Sequence, residues 1–148
     1  MVNTELRQQL FGAWHLVSYE SSSVEGGDTA YPLGPNASGM IMYTHDGRMS
    51  AQIMAGGRPA YADGAVHGGT VKERATAAHG YLAYAGTYEV AHGNVVEHHI
   101  EVSLFPNWVG TVVSRIAKLD GRQLHLSLAD PLLIDEVPRN ALLIWERA

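Results

Sequence analysis

Eight short stretches of this chain alternate apolar and polar residues, and tight-turn sequences join several of them in order. They are "AWHLVSYE" (13–20), "GMIMYT" (39–44), "RMSAQIMA" (48–55), "YLAYAGTYEVA" (81–91), "NVVEHHIEVSLF" (94–105), "WVGTVVSRIAKL" (108–119), "RQLHLSL" (122–128) and "ALLIWER" (141–147). Period-two alternation is the signature of half-buried strands. Asp46-Gly47, "HGN" (92–94) and Asp120-Gly121 are hairpin signals between consecutive strands. A sequential antiparallel meander of this kind leaves two open edges unless its first and last strands pair. The expected fold is therefore all-β: an eight-stranded antiparallel up-and-down barrel, closed by pairing the Trp14 strand with the Trp145 strand. A barrel of that size is just wide enough to be filled by side chains or to hold one small ligand.

Two helices complete the pattern. "TELRQQLF" (4–11) has Thr4 as a cap, Leu6 and Leu10 on one stripe and Gly12 as a stop. It would plug one barrel end. "TVKERATAAHG" (70–80) lies in a long Gly-rich connection, residues 56–80, expected to form a lid or rim with Arg58 directed toward the opening. No linker, repeat or low-complexity stretch divides residues 1–148, so one domain is expected.

Composition excludes several classes. The formal net charge is −5 with no basic cluster, against the needs of a nucleic-acid partner. Without cysteine there is no disulfide, thiolate metal site or cysteine nucleophile. No stretch reaches the ~18 apolar residues of a spanning helix, and "MVNTELRQQLFGAW" lacks a secretory leader pattern. A cytoplasmic protein with no membrane partner is expected; assembly into a homo-oligomer is left open.

Several blocks, in order, resemble one family: "GAWHLVSYE", "GMIMYTHDGRMSAQIM", "YLAYAGTYEV", "HHIEVSLFPNWVGT", Arg115 and the closing "LIWER". Together they look like the bacterial and fungal lipocalin-like domain family. Gly-x-Trp after a short helix is a broad signature of lipocalin-related barrels. The Tyr-Thr-x-Asp-Gly-x-Met-Ser hairpin and the Phe-Pro-Asn-Trp-x-Gly segment are narrower. The resemblance implies an eight-stranded barrel with an interior cavity and defines no reaction, since fold alone does not assign chemistry.

The candidate chemistry centres on one strand. Val96, His98, Ile100, Val102 and Leu104 share a face, so His98 is the polar member of an inward face. On the preceding strand Leu82, Tyr84, Gly86, Tyr88 and Val90 form the better inward face, with Gly86 leaving space between the tyrosines. His98 as base, with Tyr84 or Tyr88 as acid, would suit cofactor-free proton transfer. The plainer alternative is a buried histidine and tyrosines bonded to one another or to water. His98 should be buried, line the cavity and have a lowered pKa.

Candidate ligand contacts are Trp14, Tyr43, Gln52, Arg58, Trp108 and Arg115. Rings and methionines suit a planar apolar ligand and are equally good core filler. Alternation does not decide whether Ser50, Gln52 and Met54 or Met49, Ala51 and Ile53 face inward, nor whether Arg115 is a buried anchor or an outer-face charge. Arg58 could hold a ligand carboxylate or phosphate, or pair with a surface acid. His99 and Glu101 share an outward face, but no third ligand is evident, so no metal is assigned. Phosphate-loop, dinucleotide and nucleophile-elbow motifs are absent.

The expected function is binding of a small, mostly apolar or aromatic molecule in the barrel, with cofactor-free acid–base chemistry (isomerase, cyclase, dehydratase or hydrolase type) as one outcome. A non-catalytic carrier is the alternative, and a structural barrel with a filled core a weaker one. A carrier would bond His98 only to protein; an enzyme would open it to the pocket.

Overall fold

The computed structural model describes residues 3–134 and 136–148. Helix α1 (Thr4–Leu10) precedes β1 (Gly12–Ser23); β2 (Thr29–Ala30), β3 (Ser38–Tyr43) and β4 (Arg48–Met54) follow. Helix α2 (Val71–His79) leads to β5 (Tyr81–His92), β6 (Val95–Ser103), β7 (Val112–Asp120), β8 (Gln123–Leu128), β9 (Leu132–Ile134) and β10 (Val137–Arg147). Every pairing is antiparallel, in the order β1-β3-β4-β5-β6-β7-β8-β10, and β1 pairs β10 to close an eight-stranded barrel. The closing register sets Leu16 opposite Trp145, as expected for the two tryptophan strands. The two short strands, β2 on β1 and β9 on β10, extend the wall. No described helix is long and apolar enough to cross a membrane.

The short turns gather at one end, and α1 plugs it. Asn3 caps the helix, accepting from the Leu6 N–H, where Thr4 was expected. Leu6 and Leu10 are buried, and Trp14 donates its indole N–H to the Leu10 carbonyl at 3.0 Å. The Arg147 guanidinium stacks 3.9 Å above the Trp14 ring and donates to the Phe11 carbonyl at 2.7 Å and the Gln9 carbonyl at 2.5 Å. A cation on an indole face with two carbonyl acceptors is a strong clasp, and it ties β10 to the plug.

The longer connections lie at the other end. α2 is capped by Thr70 in a reciprocal capping box with Glu73, which stabilises the helix locally. It buries no residue and packs beside β5. The expected strand over 108–119 starts late: Pro106–Trp108 is a 3-10 turn and β7 begins at Val112. Proline at the first position of a helical turn loses no hydrogen bond, so "FPNW" reads as a turn and not as strand ends. In β10 the strand begins four residues before the expected Ala141, because Pro138 lies opposite the short outer strand β9.

Strand β1 changes phase. Its register against β10 shifts between Leu16 and Ser18, a bulge. An extra residue flips the alternation. Trp14 and Leu16 face in before it, and Tyr19 and Ser21 after it. A second irregularity falls between Ala85 and Gly86 in β5. Gly86 does not leave interior space, contrary to expectation: a Cβ there would run into the His99 backbone carbonyl of β6. It is glycine because two backbones approach too closely for a side chain.

Candidate functional site

His98 sits on β6 between Val96 and Ile100, and all three are fully buried, as the alternation requires. Its Nε2 lies 2.8 Å from the Tyr43 hydroxyl and its Nδ1 lies 3.1 Å from the Tyr84 hydroxyl. A neutral imidazole has one N–H and one bare nitrogen, so one tyrosine accepts from it and the other donates to it. Burial holds the His98 pKa well below its ordinary 6.5, and the Arg115 charge pushes the same way. Burial likewise lifts the Tyr43 phenol well above its usual range. The imidazole is thus neutral, with both ring nitrogens bonded. Of the two tyrosines on the neighbouring strand, Tyr84 reaches His98, whereas Tyr88 gives its hydroxyl to the Thr44 carbonyl at 2.8 Å and packs edge-on to Tyr43.

Above this unit, toward the end with the long connections, lies an interior cavity. Its walls come from six elements or more: Tyr19, Ile41, Ala51, Ile53, Leu82 and Tyr84 on one side of the barrel, and Arg115, Leu126, Leu128, Ala141, Leu143 and Trp145 on the other. Trp108 and Leu132 complete the rim. The cavity is slender, about 30 Å³, room for about two water molecules. Trp108 stands on the 3-10 turn with its ring edge-on to Tyr84, centroids 5.4 Å apart. His98 does not line the cavity; Tyr84 stands between the two.

Arg115 is the charged group of this wall and is 7% exposed. Alternation along β7 turns Val113, Arg115 and Ala117 inward, which settles the face that the sequence left open. Burial also raises the Tyr19 phenol pKa, an effect that the neighbouring Arg115 charge opposes. The Trp145 indole N–H is buried with no partner among the described residues.

The other candidates fall elsewhere. Trp14 is buried against the plug, and Tyr43 is held in the histidine unit; neither is on the cavity wall. On β4, Met49, Ala51 and Ile53 are the buried set, so Gln52 points outward and donates to the Ser50 hydroxyl at 2.7 Å. Arg58 is exposed, donates to the Ala77 carbonyl at 3.2 Å and stacks 5.0 Å from the Tyr81 ring. It fills a groove beside α2, and no residue of 56–80 lines the cavity, so this segment is no lid over it. Tyr19, Leu82 and Trp145 are wall residues that the candidate set omitted; the bulge in β1 hides Tyr19 from any simple alternation count.

Outside the barrel, Glu89, Glu97 and His99 bring three donor atoms within 4.8 Å of one another. Two carboxylates and an imidazole could hold a divalent cation. The expected partner Glu101 instead pairs with Arg48 at 3.2 Å, and Glu89 enters from β5 opposite Glu97. This set is on the opposite face of the wall from the cavity.

A closed eight-stranded barrel with a helical plug and an apolar interior pocket defines a lipocalin-like protein. The chain belongs to the lipocalin-like domain family, whose model matches residues 11–148. Among curated proteins it is similar to the 4'-hydroxy-3'-methoxypropiophenone carrier protein ppsC of Aspergillus oryzae, 35% identical over 106 residues, covering 67% of this chain and 96% of the relative. No solved structure matches it. Family and relative together support small-molecule binding by this chain.

Proposed function

We propose that the protein is a non-catalytic carrier that holds a small aromatic molecule, bearing one or more oxygens, inside the barrel. The observation that carries this reading is the separation of the histidine from the pocket: both His98 nitrogens are taken by tyrosines, and the cavity wall beyond them is mostly apolar and ring-lined, with Arg115 as its charged group. A general base must reach the proton it removes, and this one is spoken for. An apolar wall with few polar groups is the usual form of a small-ligand site. The relative is named for carrying a phenolic aryl ketone, which is a ligand of the class this wall fits. Such a carrier would work in the cytoplasm beside enzymes of small-molecule biosynthesis. The resting cavity is too narrow for a ring, so loading requires the rim residues Trp108 and Leu132 to swing outward.

The test is a titration of the purified protein with 4'-hydroxy-3'-methoxypropiophenone, the compound in the relative's name, read by quenching of tryptophan fluorescence. Trp108 and Trp145 lie on the wall and report occupancy. Saturable one-to-one quenching is expected, with the compound recovered unchanged. Ala141→Phe, which fills the cavity from within, should abolish it while Gln52→Ala, outside the barrel, should not. Conversion of the compound would replace the carrier with an enzyme. Failure of this and other aryl ketones to bind would leave a filled structural barrel.

A further inference from the structure

Arg115 is buried and cationic, yet the described residues give it almost nothing to bind. Its one hydrogen bond among the described residues is a long 3.4 Å contact to the carbonyl of Ser114, its own neighbour in sequence. The ion pairs among the described residues are Arg48 with Glu101 and His99 with Glu97, and neither involves Arg115. A guanidinium offers five N–H donors in a planar fork, and an interior site leaves them unsatisfied unless an acceptor enters. Burial of an unpaired cation is strongly unfavourable, so the wild-type fold tolerates a cost there that a filled core would not need. Trp145, on the same wall, presents a second donor without an acceptor among the described residues. His98 is held neutral and burial keeps the Tyr43 and Tyr19 phenols protonated, so none of these described groups offsets the charge.

Resting on the carrier reading above, we propose that the cavity binds its aromatic ligand as an oxyanion, the phenolate of an acyl phenol, with the anionic oxygen on Arg115. An acyl group para to the hydroxyl draws charge from the oxygen and makes such a phenol more acidic than tyrosine, whose ordinary pKa is about 10. Within a low-dielectric wall, one fixed cation favours the ionised form further. The released proton goes to the buffer. The apolar walls hold the ring, and Arg115 selects those rings that can carry the charge. Neutral aromatics of the same shape are discriminated against because they leave the guanidinium unpaired.

The experiment uses para-hydroxyacetophenone as probe, with para-methoxyacetophenone as a control of similar shape that has no proton to lose. Ionised acyl phenols absorb at longer wavelength than neutral ones, so the spectrum of the bound probe reports its protonation. The probe is added at a pH about one unit below its own pKa, where roughly nine-tenths is neutral when free. Binding to the wild-type protein should bring up the phenolate band and lower the apparent phenol pKa by about one unit or more, equivalent to at least tenfold tighter binding of the anion. The methoxy control should bind at least tenfold more weakly than the ionised probe. Arg115→Met, checked for folding by its thermal transition, should bind probe and control alike with no band, and Arg115→Lys should restore part of it. A wild-type protein that holds the probe in neutral form, or binds probe and control equally, overturns the anion assignment and leaves the carrier reading intact. This wild-type comparison decides the matter even if Arg115→Met does not fold. Failure of both compounds to bind overturns both readings.

Discussion

Replacing His98 with glutamine should change how stability depends on pH more than it changes stability itself. Glutamine keeps one donor and one acceptor for the Tyr43 and Tyr84 hydroxyls, which lie 2.8 Å and 3.1 Å from the ring nitrogens. It removes the titration. In the native barrel the imidazole is held neutral, with a pKa well below 6.5, whereas in the unfolded chain it takes a proton near that value. Below about pH 6.5 the unfolded state therefore binds the extra proton, and mass action pulls the equilibrium toward it. The contribution of His98 is fully present above its unfolded pKa and is lost as pH falls, until the depressed native pKa is reached. For one proton the limiting slope is about 1.4 kcal/mol per pH unit, and it applies between the unfolded and the depressed native pKa. Asp46 and Glu73 have pKa values lowered by hydrogen bonds, the first from the Thr44 side chain and the second from the backbone N–H of Thr70. They also lose stabilising interactions in acid, at lower pH and equally in both proteins. The assay is urea unfolding of both proteins at a series of pH values. The wild type should lose stability relative to His98→Gln below about pH 6.5, and the two should run parallel above it. Parallel curves throughout would mean that the native ring takes up its proton as freely as the unfolded one, and the sealed histidine unit would be wrong.

Two further substitutions test the frame around the site. Gly86→Ala should destabilise by about 3 kcal/mol, at the upper end of overpacking costs, because its Cβ would meet the His99 backbone carbonyl; an unchanged urea midpoint would contradict the close approach of β5 and β6. Arg147→Met should cost about 2 kcal/mol by removing two charge-assisted hydrogen bonds to α1 and the stack on Trp14, seen as faster amide exchange in α1; unchanged exchange there would show that the clasp does not hold the plug.

How much of this was written in the residues varies strand by strand. β6 was legible as far as Ile100, because His98 stands between apolar Val96 and Ile100; beyond it the register shift skips Glu101, and Val102 and Leu104, expected on the same inward face, are exposed. β4 was not: Ser50, Gln52 and Met54 compete with Met49, Ala51 and Ile53, and only the barrel decides between them. Arg115 was ambiguous for a different reason. Burying a cation breaks the usual rule, so the charge argued for the outer face while alternation with Val113 and Ala117 allowed the inner one. Tyr43 as the His98 partner was hidden by distance, since β3 and β6 meet across the barrel interior and no local pattern links residues 55 apart in sequence. The phase change in β1 was invisible to alternation, which presumes that no residue is inserted. Arg58 illustrates a different difficulty: a Gly-rich segment was read as a lid or rim with Arg58 directed toward the opening, whereas Arg58 bonds to the Ala77 carbonyl and α2 packs beside β5.

The seam between β1 and β10 joins residues near opposite ends of the sequence: Trp14 faces Arg147, and Ser23 faces Arg139. During synthesis the first strand emerges long before its partner exists. From that moment until β10 is made, β1 has an unpaired edge, and so does whichever strand was made last. Such edges are templates for pairing between neighbouring nascent chains. Contacts of this sequence separation also close slowly, because the whole intervening chain must be ordered first. Expression conditions that slow translation lengthen the exposed interval, while truncation within β10 makes it permanent. Soluble yield should therefore fall as the time to reach β10 lengthens, even where every folded-state contact is intact.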